Sequence, residues 1–274
     1  MTRRQRYEAT QRRRSLIIAG ASTALVIAAI VIFVPMAPGW EKVQRSFFNG
    51  GVLADTFPKL LEAFKVNVMI FALCAPAIAI LGLLIAFARD AKSPAFFPLR
   101  IFGAAFTDVF RGVPVILTVY LIGFGIPGLG LPRPYNSPYI WGSLALILTY
   151  SAYVAEIFRS GIESVHHSQR SAALSLGLSE RQVMRYVVLP QAVRNVTPPL
   201  LNDFISLQKD TALVAVLGPI EVLRRAQIDT SANFNYTPYV GAALIFIALT
   251  IPMTRFADWI QVRSARKKRA GGVA

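Results

Sequence analysis

Polar and charged residues interrupt one of the chain's apolar segments at regular intervals. Asn202, Ser206, Lys209 and Asp210 follow the spacing i, i+4, i+7 and i+8, which places them on one face of a helix. Ionisable groups at membrane depth are costly, and they usually line a water-filled route or pair with one another. The stripe is therefore either a wall of a transport pathway or a network that holds helices together. The second interpretation is slightly favoured for Asp203 in the same segment and for the pair Lys209 and Asp210.

Glu156 is a lone carboxylate near one end of another apolar segment. It could meet an ammonium group of a transported solute, or it could pair with Arg159 or Arg111. Its position, one turn from Tyr153, favours a place in the pathway. Arg111 lies close to Pro114, where the helix must be irregular because proline removes a backbone hydrogen bond. Arg111 could contact a substrate carboxylate or serve in structural pairing.

Other kinds of chemistry lack the residues that they would need. The single cysteine, Cys74, allows neither an internal disulfide nor a cysteine-based metal site, and the doublet His166–His167 has no third ligand beside it. The sequence contains no GxxxxGK[ST] motif that could cradle ATP phosphates. No nucleophile–base set occurs in the apolar segments, so we expect a protein that is not an enzyme and holds no cofactor or metal of its own.

The composition is typical of an integral membrane protein. Hydrophobic residues make up 54% of the 274 residues, and charged residues only 16%. The net charge of +15 comes from basic residues that gather at the ends of apolar blocks. At such positions they contact anionic lipid headgroups and set the topology, so nucleic acid is not an expected partner.

The apolar blocks predict an all-α, polytopic membrane protein with six spans. A spanning helix needs about 20 apolar residues. Residues 16–36 could be a signal peptide, but the long apolar run favours a retained anchor helix. With the N-terminus in the cytoplasm, nineteen of the 29 Lys and Arg residues lie inside and six lie in external loops, so both termini are expected to be cytoplasmic. The predicted spans are 16–36, 64–88, 99–126, 139–158, 193–223 and 239–260.

Residues 167–192, which we call the finger, read HSQRSAALSLGLSERQVMRYVVLPQA and are polar and helical. Ser168 is predicted to cap a first helix that ends at Gly177. Ser179, with Gln182 three residues later, is predicted to start a second helix, which runs to Leu189 before a proline. The face formed by Ala172, Ala173 and Leu176 either docks in a groove on another protein or packs on the chain's own bundle.

Several spaced motifs resemble the permease subunits of ABC importers, in the polar amino-acid branch of the histidine/glutamine type. The chain has FRGVP at 110–114, AYVAEIFRSGIESV at 152–165 and PPLLNDFISLQKDTAL at 198–213. The finger matches the EAA loop of that family through the alanine pair, LeuGlyLeuSer at 176–179 and LeuProGlnAla at 189–192. The motif glutamate is Ser171 in this chain.

The resemblance implies a five-span permease core over residues 60–262, with a coupling loop at 159–194 that the ATPase would move. It also implies an additional helix at 16–36 and basic cytoplasmic tails at 1–15 and 263–274. The residues that would couple to the ATPase are Gln169, Arg170, Ser171, Ala172, Ala173, Leu176 and Gly177.

The implied partners are a dimer of ABC ATPase subunits that bind ATP and Mg²⁺, a second permease subunit, and an extracytoplasmic amino-acid-binding protein. The implied function is ATP-driven import of a polar amino acid by alternating access. The cations Arg111 and Lys209 slightly favour glutamate or glutamine as the transported amino acid. A stand-alone secondary transporter or channel is the alternative; it would need no ATPase.

Overall fold

The computed structural model describes residues 3–91 and 93–271, and these residues form α-helices and short helical turns with no strand. The predicted all-α class is therefore confirmed. The first two residues of the predicted tail 1–15 and the last three of the tail 263–274 lie outside the described residues. The α-helices are α1 Arg3–Phe33, α2 Trp40–Phe47, α3 Gly50–Asp90, α4 Phe97–Gly112, α5 Val115–Gly125, α6 Pro138–Glu163, α7 His167–Ser175, α8 Glu180–Val183, α9 Leu189–Asp210, α10 Val222–Asn233 and α11 Thr237–Gly271.

Four helical stretches are long and apolar enough to cross a membrane, within the described part of the chain. They are Gln11–Phe33, Trp40–Asp90, Pro138–Glu163 and Thr237–Arg263. A fifth candidate is the bent pair Pro94–Gly112 and Val115–Leu129. Membrane embedding is thus supported, whereas the predicted count of six spans is not confirmed.

The bent pair corresponds to the predicted third span. The chain bends by 108° between its two helices, across a break at Val113 and Pro114. Proline lacks an N–H and restricts the residue before it to an extended conformation, so the helix ends at Gly112. The irregularity expected beside Arg111 is therefore present.

The predicted fifth span, 193–223, is not one continuous helix. α9 ends at Asp210, a 3₁₀ helix follows from Thr211 to Leu217, and Gly218 adopts a left-handed conformation with a φ of 112°. α9 is not among the candidate spans, because the same polar stripe that drew attention to it lowers its hydropathy.

The hydrophobic core lies between α3 and α6, which make the most extensive helix–helix contact. Cys74 and Ile78 of α3 pack there with Leu146 and Val154 of α6. The two helices approach closely at Gly82, where an added Cβ would lie 2.6 Å from Cγ1 of Val154. α5, α9 and the 3₁₀ helix complete this core through Val119, Leu207 and Val214.

Candidate functional site

The finger consists of two short helices joined at Gly177, as predicted. Gly177 has a φ of 83°, a conformation that favours glycine, and the N–H of Leu178 donates to the carbonyl of Ala173 at 3.3 Å. Ser179 and Gln182 form the predicted capping box, in which the Ser179 N–H donates to Oε1 of Gln182 at 2.8 Å. The turn between the helices is therefore built by local hydrogen bonds.

The ends of the finger differ from the sequence-based expectation. The first helix is capped by His166 rather than Ser168, because the His166 ring nitrogen Nδ1 accepts from the Ser168 N–H at 3.3 Å. The second helix does not stop before Pro190. A π-helical turn from Met184 to Val188 widens the backbone, and α9 then begins at Leu189 and carries Pro190 in its first turn, where a missing N–H costs little.

The predicted docking face is divided by the packing of the finger. Ala173 is buried in a small cluster with Val165, Val183 and Val188. Leu176, by contrast, is 83% exposed, and Ala172 is exposed beside it. Of the predicted apolar face, Ala172 and Leu176 are therefore free to contact another protein, whereas Ala173 stabilises the finger itself.

Arg170 ties the finger to the end of α6. Its guanidinium donates to the carbonyl of Ile162 at 3.2 Å, in the last turn of α6, where a positive charge also interacts favourably with the helix dipole. Ser171 lies with its hydroxyl 3.2 Å from Nδ1 of His167, and Gln169 is exposed. The seven predicted coupling residues thus lie together on one compact unit that is attached to α6 on one side and to α9 on the other.

The predicted polar stripe of α9 is partly covered by α6. Asp210 is half-buried and accepts a hydrogen bond from the hydroxyl of Tyr150 at 2.8 Å. Ser206 is also half-buried, whereas Asn202 and Lys209 are exposed. One part of the stripe therefore contributes to helix packing, and the other part faces away from the chain's own core.

Glu156 lies at the centre of an ion-pair cluster. Its carboxylate accepts from Nη1 of Arg89 at 2.8 Å and from Arg159 through Nη2, and Nη1 of Arg111 lies 3.7 Å away. These partners belong to α3, α6 and α4. The structure thus contains both pairings considered from the sequence and adds Arg89. The contact between Glu156 and substrate that the sequence favoured is not tested by these distances, and the three guanidinium groups favour structural pairing instead. The pathway role of the half-buried Tyr153, whose ring lies 6.1 Å from that of Tyr150, stays a prediction.

A buried polar network around Glu221 was missed at the level of sequence. Glu221 is fully buried and accepts from Nδ2 of Asn67 at 2.9 Å and from the N–H of Arg224 at 2.6 Å. Asn67 also donates to the Thr211 hydroxyl at 3.1 Å and accepts from the N–H of Val222 at 3.1 Å. An acidic residue two positions after the Gly218–Pro219 break is a signal for a helix start that could have been recognised.

The comparison with protein families decides what kind of protein carries these features. A family described as "binding-protein-dependent transport system inner membrane component" matches residues 50–269. The chain belongs to this family. It is thus a membrane-embedded permease component of the kind that works with ATPase subunits and substrate-binding proteins in ABC importers. The match begins at the start of α3, so that α1 and α2 lie outside it.

Individual relatives in this permease family are similar over most of their length. The probable glutamine ABC transporter permease protein GlnM of Bacillus subtilis is 30% identical over 216 residues, which cover 78% of this chain and 97% of GlnM. The arginine transport system permease protein ArtQ of the same organism is 34% identical over 199 residues, which cover 72% of this chain and 88% of ArtQ.

Solved structures support the permease fold. A crystal structure of an amino acid ABC transporter with histidines gives a TM-score of 0.69 at 31% identity, and the alignment covers 75% of this chain and 94% of that chain. An inward-facing structure of the MetNI methionine ABC transporter gives a TM-score of 0.51 at 17% identity, which shows a shared fold only.

Proposed function

We propose that this permease is the membrane subunit of an ATP-driven importer that moves a polar amino acid, with glutamine or glutamate preferred, by alternating access. The observation that carries the proposal is the finger, a preformed two-helix unit with Ala172 and Leu176 exposed. The similarity to permeases that are named for glutamine and arginine transport supports a polar amino acid as the substrate. The exposed cations Arg111 and Lys209 suit a substrate that carries a carboxylate.

The attachment of the finger suits it to transmit movement from the ATPase. α7 follows α6 after three residues, and the bond from Arg170 to Ile162 holds the two together. On the other side, α8 continues through the π-helical turn into α9 without a break. ATP and Mg²⁺ would be bound by a separate dimer of ATPase subunits, and displacement of the finger would be passed to α6 and α9 together.

The exposed part of the α9 stripe supports a route between two permease subunits. Asn202 and Lys209 face away from this chain's core, where an exposed cation at membrane depth would be costly without a partner or water. A second permease, related by a two-fold axis, would enclose this face. Ser206, Asp210 and Tyr153 would then border the route, with Arg111 and Glu156 near its cytoplasmic mouth.

The charge distribution supports an orientation with both termini in the cytoplasm. It places the finger on the cytoplasmic side, where the ATPase subunits are, and the loops 37–63, 127–138 and 224–238 on the outside. An extracytoplasmic amino-acid-binding protein would deliver the substrate to the outer side. The inner membrane is therefore the proposed location.

The experiment that tests the proposal replaces Leu176 with arginine. Because Leu176 is 83% exposed, the change leaves the inner cluster of the finger intact, yet it puts a bulky charge on the proposed docking face. We expect the permease to insert normally, to lose co-purification with its ATPase subunits and to lose ATP-driven uptake of amino acids in reconstituted vesicles.

The matched control is Leu129→Arg, which makes the same substitution at a residue that is 78% exposed in the proposed external turn. This variant should keep both association and uptake. If Leu176→Arg takes up substrate as the unmodified complex does, the coupling role of the finger is wrong. Uptake by the permease without any ATPase subunit would indicate a stand-alone transporter.

A further inference from the structure

α2 is strongly amphipathic although it has only eight residues, WEKVQRSF. Trp40, Val43 and Phe47 lie at i, i+3 and i+7, so they share one side of the helix, and Glu41 and Arg45 lie on the opposite side. The side chains of Glu41 and Arg45 are 84% and 81% exposed, as expected for a polar face in water. The apolar side is not buried by the chain either, since no residue of α2 is buried and Val43 is 40% exposed.

The position of α2 along the chain fixes its height relative to the membrane. It follows the candidate span Gln11–Phe33 after six residues, and it opens the helical stretch Trp40–Asp90 that contains α3. Residues 34–39 are too few to carry α2 far from the level at which α1 ends. Asn49, two residues after α2, donates its N–H to the hydroxyl of Thr237 at 3.1 Å, where the candidate span Thr237–Arg263 begins. α2 therefore lies near the membrane surface where α1 ends and α11 begins. With the bent pair counted as one span, the chain crosses three times between α2 and the finger, in α3, the bent pair and α6, so this surface is opposite to that of the finger.

α2 is bonded to the turn that joins α10 and α11. The carbonyl of Ser46 accepts from the N–H of Tyr236 at 2.7 Å, and the carbonyl of Arg45 accepts from Nδ2 of Asn235 at 3.0 Å. These carbonyls belong to the last turn of α2, where the helix itself offers them no partner. The rings of Phe47 and Tyr236 also stack with their centroids 4.9 Å apart.

We propose that α2 lies flat in the lipid headgroup layer opposite the finger, with Trp40, Val43 and Phe47 turned towards the acyl chains, and that it holds the α10–α11 turn at that level. Aromatic residues are favoured at the membrane interface, and a short helix with a wide apolar side and a charged opposite side lies in the interface plane. The occupant of the apolar side is therefore lipid. Since α2 lies outside the matched residues 50–269, it gives this chain a support for the turn that the family match does not include.

The test places a nitroxide spin label on each side of α2 in the transport complex, reconstituted in phosphatidylcholine–phosphatidylglycerol vesicles. The two variants are Val43→Cys and Glu41→Cys, both made with Cys74→Ser so that one label is attached. Collisions with oxygen, which concentrates in lipid, and with a neutral nickel chelate, which stays in water, are then measured. We expect oxygen to dominate at position 43 and the nickel chelate to dominate at position 41.

Two other results at position 43 would overturn the lipid contact. Dominance of the nickel chelate would show that the apolar side faces water, and low access to both reagents would show that it is covered by protein, such as a second permease.

The tie to the α10–α11 turn is tested by Tyr236→Ala, which should raise the mobility of the label at position 43. Tyr139→Ala, an exposed tyrosine at the start of α6, is the control and should leave mobility unchanged. Equal mobility in both variants would overturn the tie.

Discussion

Replacing Glu156 with glutamine should weaken the junction of α3, α4 and α6 without changing the apparent affinity for substrate. The carboxylate accepts from Arg89 at 2.8 Å and from Arg159, and it lies 3.7 Å from Arg111. Glutamine keeps the size of the side chain and one acceptor oxygen. It removes the negative charge, so three guanidinium groups lose the charge that they surround.

The expected loss follows from the burial of these groups. The Arg89 and Glu156 side chains are only 18% and 21% exposed, whereas Arg111 is 42% exposed and farther away. A hydrogen bond to a charged group contributes about 1.5–3 kcal/mol, and loss of one partner from a fully buried pair costs about 3–5 kcal/mol. Because the cluster is partly exposed and glutamine retains one acceptor, we expect a loss of about 2 kcal/mol.

The assay is thermal unfolding of the detergent-solubilised complex, measured beside uptake kinetics in vesicles. For domains of about 150–250 residues, a loss of about 2 kcal/mol corresponds to a decrease in Tm of about 4–8 °C. The control is Glu163→Gln, the same substitution on the same helix. Glu163 also pairs with Arg159, but it is 60% exposed, so its loss should be at most about 0.5 kcal/mol.

Two results would refute this reasoning. If Glu156→Gln unfolds at the temperature of the unmodified complex but takes up substrate with weaker apparent affinity, then Glu156 contacts the transported amino acid. That outcome would support the pathway role considered from the sequence, and the arginines would then serve another purpose. A decrease in Tm equal to that of Glu163→Gln would also contradict the central position assigned to Glu156.

Two further predictions concern glycines. Gly177→Ala should destabilise the finger by about 1 kcal/mol and reduce ATP-driven uptake, because the φ of 83° at this position strains any residue with a Cβ. The control is Gly125→Ala, which has open space around it and should be near neutral in both stability and uptake. Gly82→Ala should lower the stability of the solubilised complex by about 1–3 kcal/mol, since the added methyl group would meet Val154 at 2.6 Å. Adding Val154→Ala should restore part of that loss, and the absence of any restoration would contradict the close approach of α3 and α6.

The sequence by itself determined the features that depend on neighbouring residues. The capping box of Ser179 and Gln182 joins residues three apart, and Gly177 was predicted from its place just after a helical run. The helix break at Pro114 follows from the missing N–H of proline. Long apolar blocks determined the membrane class in the same way. Each of these features depends on interactions within a few positions of the chain.

Only the tertiary structure decided which side of each helix meets another helix. Ala172 and Ala173 are neighbours in sequence, yet the first is exposed and the second is buried, because the valine cluster of the finger approaches α7 from one side. The partners Arg89 and Glu156 are 67 positions apart, and Asn67 and Glu221 are 154 apart. A periodic pattern defines a face of a helix, but the rotation and height of that helix depend on the packing of the whole bundle. For that reason the polar stripe of α9 could be recognised in the sequence, while its division between Asp210 at α6 and the exposed Lys209 could not.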